Sequence, residues 1–216
     1  MAPTQARAHA TRTAILEAAA SAFATGGLAG TTLNDLVRSS GVTKGAFYFH
    51  FASKEELALA AFRLKQEQLL EGMAAAVRPD QPALDRLVAM LDARVELLRQ
   101  DPSLKCVLRL GQELRIGADA DSEYAGFQET AITVLTELLA EGRRDGSVRR
   151  DVEPRDDAET VFAAILGIDA LSELLSGGDD LTSRNQHLMS WLRRALAPAT
   201  GSRTGARQRR GPRSPR

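Results

Sequence analysis

The sequence is short of cysteine, histidine and aromatic residues, and each shortage closes off a class of function. One cysteine, Cys106, excludes an internal disulfide and carries no pattern of metal ligands. The three histidines, His9, His50 and His187, are far apart and form no ligand cluster, so no metal site is expected. No apolar run approaches the length needed to span a bilayer, so no membrane partner is expected. Arg7 and Arg12 precede an Ala-rich stretch that faintly mimics a secretory signal. Glu17 interrupts that stretch and its apolar residues recur at helical spacing, which points to a cytoplasmic protein. Also missing are a nucleophile–base pairing, a Glu-x-x-His pattern and a glycine-rich cofactor loop. Gly26-Gly27-Leu28-Ala29-Gly30 lacks the Gly-Lys-Ser/Thr of a phosphate loop and reads as a helix stop. Neither an enzyme nor a bound cofactor is expected.

What is present is an ordinary soluble composition, 44% apolar and 26% charged over 216 residues, enough to bury a sizeable core. Alanine and leucine are abundant, which favours helix over sheet. Net charge is zero but unevenly spread. Residues 1–50 carry +2, residues 199–216 carry +6, and the acidic middle carries −8. Basic ends around an acidic centre fit a protein whose ends meet a polyanion.

Hydrophobic periodicity predicts an all-α chain. A first helix is expected over about 7–25, with Ile15, Ala19, Ala22 and Phe23 on one face, ended by Gly26, Gly27 and Gly30. Thr32-x-x-Asp35 has the form of a capping box and opens a short second helix faced by Leu33, Leu36 and Val37. Gly41 breaks it, and Thr43 or a neighbour starts a third. Ser53-Lys54-Glu55-Glu56 is a second capping box at the head of a long helix. Further helices are expected from Leu84 to Asp101, near 103–116, from Phe127 to Gly142, and over 155–176 and 181–197. The tail from Ala199 has no Leu, Ile, Val or Phe and is expected to be disordered. The organisation predicted is a head over 7–52, a helical regulatory and dimerisation domain over 53–198, and an Arg-rich tail over 199–216.

Two short capped helices joined by a Gly-containing turn describe a helix-turn-helix, whose second helix enters a major groove of double-stranded DNA. At about 100° per residue, Lys44, Gly45, Tyr48 and Phe49 share one face, with Phe47 and Phe51 turned the other way. The second set is expected to pack on the first helix, leaving the first set for DNA. Gly45 lets the backbone approach the groove, Lys44 can donate to a guanine edge or to phosphate, and Tyr48 can donate to phosphate. His50 reads better as a phosphate contact than as a catalytic base.

The string Gly41-Val42-Thr43-Lys44-Gly45-Ala46-Phe47-Tyr48-Phe49-His50-Phe51, followed by Ser53-Lys54-Glu55-Glu56-Leu57, resembles the DNA-binding segment of the tetracycline-repressor (TetR) family. The likeness covers roughly residues 10–60. It implies that Thr32 caps the second helix beside a phosphate, and that Thr43, Lys44 and Gly45 fall where bases and backbone are touched. Tyr48, Phe49 and His50 fall at further DNA contacts, and Lys54 at a phosphate contact or a merely solvated helix end. Arg109-Leu110-Gly111-Gln112-Glu113, with the string from Thr43 to Phe51, is similar to the γ-butyrolactone autoregulator receptors. Those receptors carry a tryptophan in the ligand pocket where this sequence has Phe127, which leaves the ligand class open.

The resemblance implies a homodimeric repressor released from a pseudo-palindromic operator by a small apolar effector, γ-butyrolactone-like or otherwise. An activator, or a ligand-independent DNA-binding protein of the same fold, is the alternative. Leu87, Leu91, Phe127, Ala131, Leu135 and Phe162 either line a ligand pocket or are plain core. Gln112 and Glu113 are either polar anchors or solvated surface. Val161, Ile165, Ile168 and Leu171, with Leu188 and Leu192, are expected at a four-helix dimer interface, and Trp191 is expected to pack the terminal helix pair.

Overall fold

The computed structural model describes residues 3–113 and 123–198, apart from the side chains of residues 3, 4, 112 and 123–125. The tail over 199–216 and the polar stretch over 117–122 lie outside the described residues. Among the described residues every regular element is helical: α1 (Pro3–Gly26), α2 (Leu33–Ser40), α3 (Lys44–His50), α4 (Lys54–Ala75), α5 (Ala83–Gln100), α6 (Lys105–Glu113), α7 (Glu123–Asp145), α8 (Pro154–Ser176) and α9 (Leu181–Leu196). A short 3-10 turn, Pro102–Leu104, joins α5 to α6. The breaks fall where the chain loses donors: Pro82 immediately precedes α5, Pro102 opens the 3-10 turn and Pro154 opens α8.

Two buried clusters hold the helices together. The first runs from Phe23 of α1 through Leu36, Phe47 and Phe51 into Phe62 of α4 and Leu110 of α6. The expected boundary between residues 52 and 53 therefore lies inside one continuous core. The second cluster joins Leu87 and Leu91 of α5 to Leu139 of α7, Val161 of α8 and Leu192 of α9. Aromatic side chains are few, but four of the seven phenylalanines, Phe23, Phe47, Phe51 and Phe62, are among the largest fully buried side chains of the first cluster.

One charge is buried with them. Lys65 of α4 reaches Glu17 Oε2 of α1 at 2.6 Å and Asp101 Oδ2 after α5 at 3.1 Å. Burial alone would lower the Lys65 pKa, but the two carboxylates outweigh it and hold it above its ordinary value. Asp101 is held low, because Ser103 and Lys65 outweigh the effect of burial. The Lys65 contribution is complete below its unfolded pKa and lost as pH rises through the raised folded value. The Asp101 contribution is complete above about pH 4 and lost as pH falls through its depressed value. Lys65→Met should therefore cost about 1–2 kcal/mol near neutrality. Thermal melts across pH should show the gap from the parent closing in strong acid and strong base; a gap independent of pH would reject the ion pairs as its source.

Candidate functional site

The first three helices present a helix-turn-helix whose caps are formed by their own side chains. Thr32 Oγ1 accepts from Asp35 N at 3.2 Å and donates to Asp35 Oδ2 at 2.5 Å. That hydroxyl, followed by the Arg38 guanidinium, holds the Asp35 carboxyl below its ordinary value. The expected reciprocal box is incomplete, because aspartate is one methylene shorter than glutamate and takes the hydroxyl in place of the backbone N–H. At α4, Ser53 Oγ accepts from Glu56 N at 3.0 Å, and Glu56 Oε2 reaches back to Ala52 N at 2.8 Å, one residue beyond the cap. Between α2 and α3, Gly41 adopts φ +67°, a left-handed turn that a Cβ would strain. Thr43 Oγ1 then caps α3 by accepting from Ala46 N at 3.2 Å.

These caps fix the roll of α3. Phe47 is fully buried and Phe51 nearly so, with Ile15 and Leu36 in the same cluster. Thr43, Lys44 and Gly45 face solvent, as do Tyr48 at 43% and Phe49 at 80% exposure. A Cβ on Gly45 would meet nothing within 4 Å, so internal packing does not call for a glycine there. Lys44 Nζ lies 5.9 Å from the centre of the Tyr48 ring, and the half-buried His50 stacks edge-on against Phe49 at 5.2 Å. The face therefore combines a cation, a phenol and an apolar ring around a bare stretch of backbone.

Lys54 has a structural role beside the one the resemblance implies. Its half-buried ammonium donates to the carbonyls of Leu28 at 2.8 Å and Thr31 at 3.2 Å. Two of its three donors hold the loop between α1 and α2, and the third is left for a phosphate. The opposite side of that loop is held by α6. Glu113 Oε2 accepts from Leu28 N at 2.6 Å, and Arg109 donates to Ala24 O at 3.3 Å. Gly27 turns at φ +66° beneath the Glu113 carboxylate, where any Cβ would overlap it. Glu113 thus anchors the loop after α1 while about a third of its side chain stays open to solvent, 34% by exposure. Its partner lies 85 residues away, and no local pattern signals it.

Behind the head, the body holds a partly open cavity of about 410 Å³. Leu91, Phe127, Ala131, Leu135 and Phe162 lie on its wall, as do Val107, Leu108 and Gly111 of α6. Phe127 meets Phe62 edge-on at 5.7 Å. Leu87 is a correction: it is fully buried in the second cluster and does not reach the cavity, because a helical stripe spans two directions of packing. The side chain of Gln112 lies outside the described residues. The wall carries one charged pair that the sequence did not disclose, Arg94 of α5 and Asp169 of α8. Both are buried, and two guanidinium nitrogens face the two carboxylate oxygens, Arg94 Nη1 lying 3.3 Å from Oδ1. Burial pushes the Asp169 carboxyl up, and Arg94 offsets part of that rise.

The terminal helices also differ from expectation. Val161, Ile165, Leu188 and Leu192 are buried within the protomer, in the second cluster. Ile168 is partly buried against the core, and Leu171 is exposed. The large apolar side chains exposed on these helices are instead Leu171, Leu174 and Leu175 of α8 and Trp191 of α9, with Leu174 at 79% and Trp191 at 48% exposure. Among the described residues no group of histidine, cysteine and carboxylate side chains could hold a metal ion, and no helix is long and apolar enough to cross a membrane.

A capped helix-turn-helix on a helical body with an apolar cavity defines a DNA-binding transcriptional regulator. Residues 15–61 match the family described as bacterial regulatory proteins, tetR family. The solved structure of TylP, a TetR regulator from Streptomyces fradiae, is 30% identical over 89% of each chain, with a TM-score of 0.68. A γ-butyrolactone receptor described as ArpA-like is 27% identical, covers 90% of this chain and 92% of its own, and superposes with a TM-score of 0.74. The A-factor receptor protein of Streptomyces griseus is 30% identical over 190 residues, 87% of this chain, and this chain spans 63% of that relative's length. The chain belongs to the TetR family of transcriptional regulators.

Proposed function

We propose that this chain is a cytoplasmic dimeric repressor that binds a pseudo-palindromic operator through α3 and is released by a small, mainly apolar effector bound in the body. The observation that carries the DNA reading is the outward face of Lys44, Gly45, Tyr48 and Phe49, held out by the burial of Phe47 and Phe51. Thr43 supplies a hydroxyl and His50 an imidazole for the phosphate backbone, while Thr32, whose own O–H goes to Asp35, caps the helix end that would stand beside a phosphate. Lys44→Ala should weaken binding to a selected operator by about 1–3 kcal/mol and relax its sequence preference. Tyr48→Phe should weaken all duplexes alike, since a phosphate contact reads no sequence. Mobility shifts on specific and random duplex check both; two variants that bind like the parent would reject the face.

The dimer reading rests on Leu171, Leu174 and Leu175 of α8 and Trp191 of α9, large apolar side chains left without cover in one protomer. Leu174→Glu combined with Trp191→Glu should yield a folded monomer by light scattering at micromolar concentration. Because two heads must reach successive major grooves together, that monomer should also lose most operator affinity. A dimer undisturbed by both changes would place the interface elsewhere.

The effector reading rests on the cavity and on α6, which contributes Val107, Leu108 and Gly111 to its wall. The same helix holds the loop after α1 through Glu113 and the end of α1 through Arg109. A ligand that displaces α6 would pull on the loop carrying Thr32, a second connection to the head beside the long lever of α4. Leu91, Phe127, Ala131, Leu135 and Phe162 would line the ligand, and its mainly apolar surroundings fit a chain-bearing molecule of the size class to which γ-butyrolactones belong.

A further inference from the structure

The cavity is apolar except at a few points, and the polar side chains on its wall are Arg94, Gln128, Thr130 and Asp169. Thr130 donates its hydroxyl to Gly126 O at 2.8 Å, within its own helix. The charged chemistry of the wall is therefore the Arg94–Asp169 pair, two side chains from helices α5 and α8, 75 residues apart in sequence. Each is less than a tenth exposed, so water does not screen them. As a unit the pair carries no net charge, yet it is not inert. A guanidinium has five N–H donors, and the two bonds to Asp169 occupy only two of them.

We infer that this cavity selects an uncharged amphiphile, an apolar chain ending in a neutral acceptor such as an ester or amide carbonyl, over the matching carboxylate, and that the Arg94–Asp169 pair is the selecting element. The inference rests on the effector reading above and narrows it. A carbonyl oxygen could accept from a remaining Arg94 N–H without disturbing the pair. A ligand carboxylate would bring a second negative charge beside Asp169 with a single cation to share. It would have to displace Asp169, or remain buried with a net negative charge. Either outcome is unfavourable in a site whose remaining wall is apolar. The pair thus spends the cation internally, so the cavity reads the absence of charge on its ligand.

The test is titration calorimetry of the full chain with methyl decanoate and with decanoate at one pH near neutrality, in parallel with a mobility shift on operator without added probe. The parent is expected to bind the ester at least ~10-fold more tightly than the carboxylate, a difference of about 1.4 kcal/mol. Asp169→Asn frees the Arg94 charge and should invert that order, raising decanoate affinity by at least ~10-fold. A parent that binds decanoate as well as methyl decanoate, or that binds neither, overturns the inference. The mobility shift reports DNA binding independently, so failure of the regulator reading is seen separately. Should Asp169→Asn fail to fold, the parent comparison still decides. Arg94→Met with Asp169→Leu, which leaves no charge behind, is then expected to weaken methyl decanoate severalfold by removing the donor. Unchanged ester affinity in that double variant would remove the pair from the recognition site.

Discussion

Gly45→Leu is expected to abolish specific operator binding, by ~100-fold or more, in a protein that melts no lower than the parent. The two halves of that expectation have separate causes. Leucine is the better helix former by close to 1 kcal/mol, and a Cβ at this position meets no atom of the protein within 4 Å. Nothing in the fold therefore resists the change. The side chain would project from the face that Lys44 and Tyr48 flank, where it would hold α3 away from the floor of the groove. A hundredfold loss corresponds to about 2.7 kcal/mol, which is what losing one or two base contacts would cost. Mobility shifts and thermal melts on the same preparation provide the check. A stable variant that still binds operator would mean that α3 does not enter the groove by this face.

The largest expected loss of stability is at the other end of the molecule. Asp169→Ala leaves the Arg94 guanidinium buried with no counter-charge, which should cost about 3–5 kcal/mol in urea unfolding. Arg94→Met with Asp169→Leu should recover most of that loss, because apolar groups of similar volume satisfy the same space without desolvating an ion. The comparison must be made at one protomer concentration, since association contributes to the apparent stability. If the double variant is as unstable as Asp169→Ala, the cost lies in packing at position 169 and not in the unpaired charge.

Local chemistry was legible in the sequence, and long-range chemistry was not. Thr32, Thr43 and Ser53 announced three helix starts because a hydroxyl cap acts within three residues of itself. The rotation of α3 followed from helical geometry, and Phe47 and Phe49 fell on opposite sides as that geometry requires. Periodicity identified the apolar stripes of α5, α8 and α9 but could not divide them among their own core, a cavity and a partner. Leu87 and Leu91 lie one turn apart on α5, yet only Leu91 reaches the cavity. Leu188 and Trp191 lie three residues apart on α9, yet the first is buried and the second half open. The links from Lys54 to Leu28, from Glu113 to Leu28 and from Arg94 to Asp169 join residues 26 to 85 positions apart. The first two tie a helix to the loop after α1 and the third joins two helices, and only the packed chain brings any of them about.

The contact between Gly27 and Glu113 also has an evolutionary reading. A side chain at 27 would occupy the space of the Glu113 carboxylate, and a displaced carboxylate would abandon the Leu28 amide. Neither position can drift alone without opening the latch, although each taken singly looks like an ordinary loop glycine and an ordinary helix-end acid. The two residues should therefore be inherited as a pair. A lineage that replaced the glycine would first have had to find another way for α6 to grip the loop that leads into the helix-turn-helix.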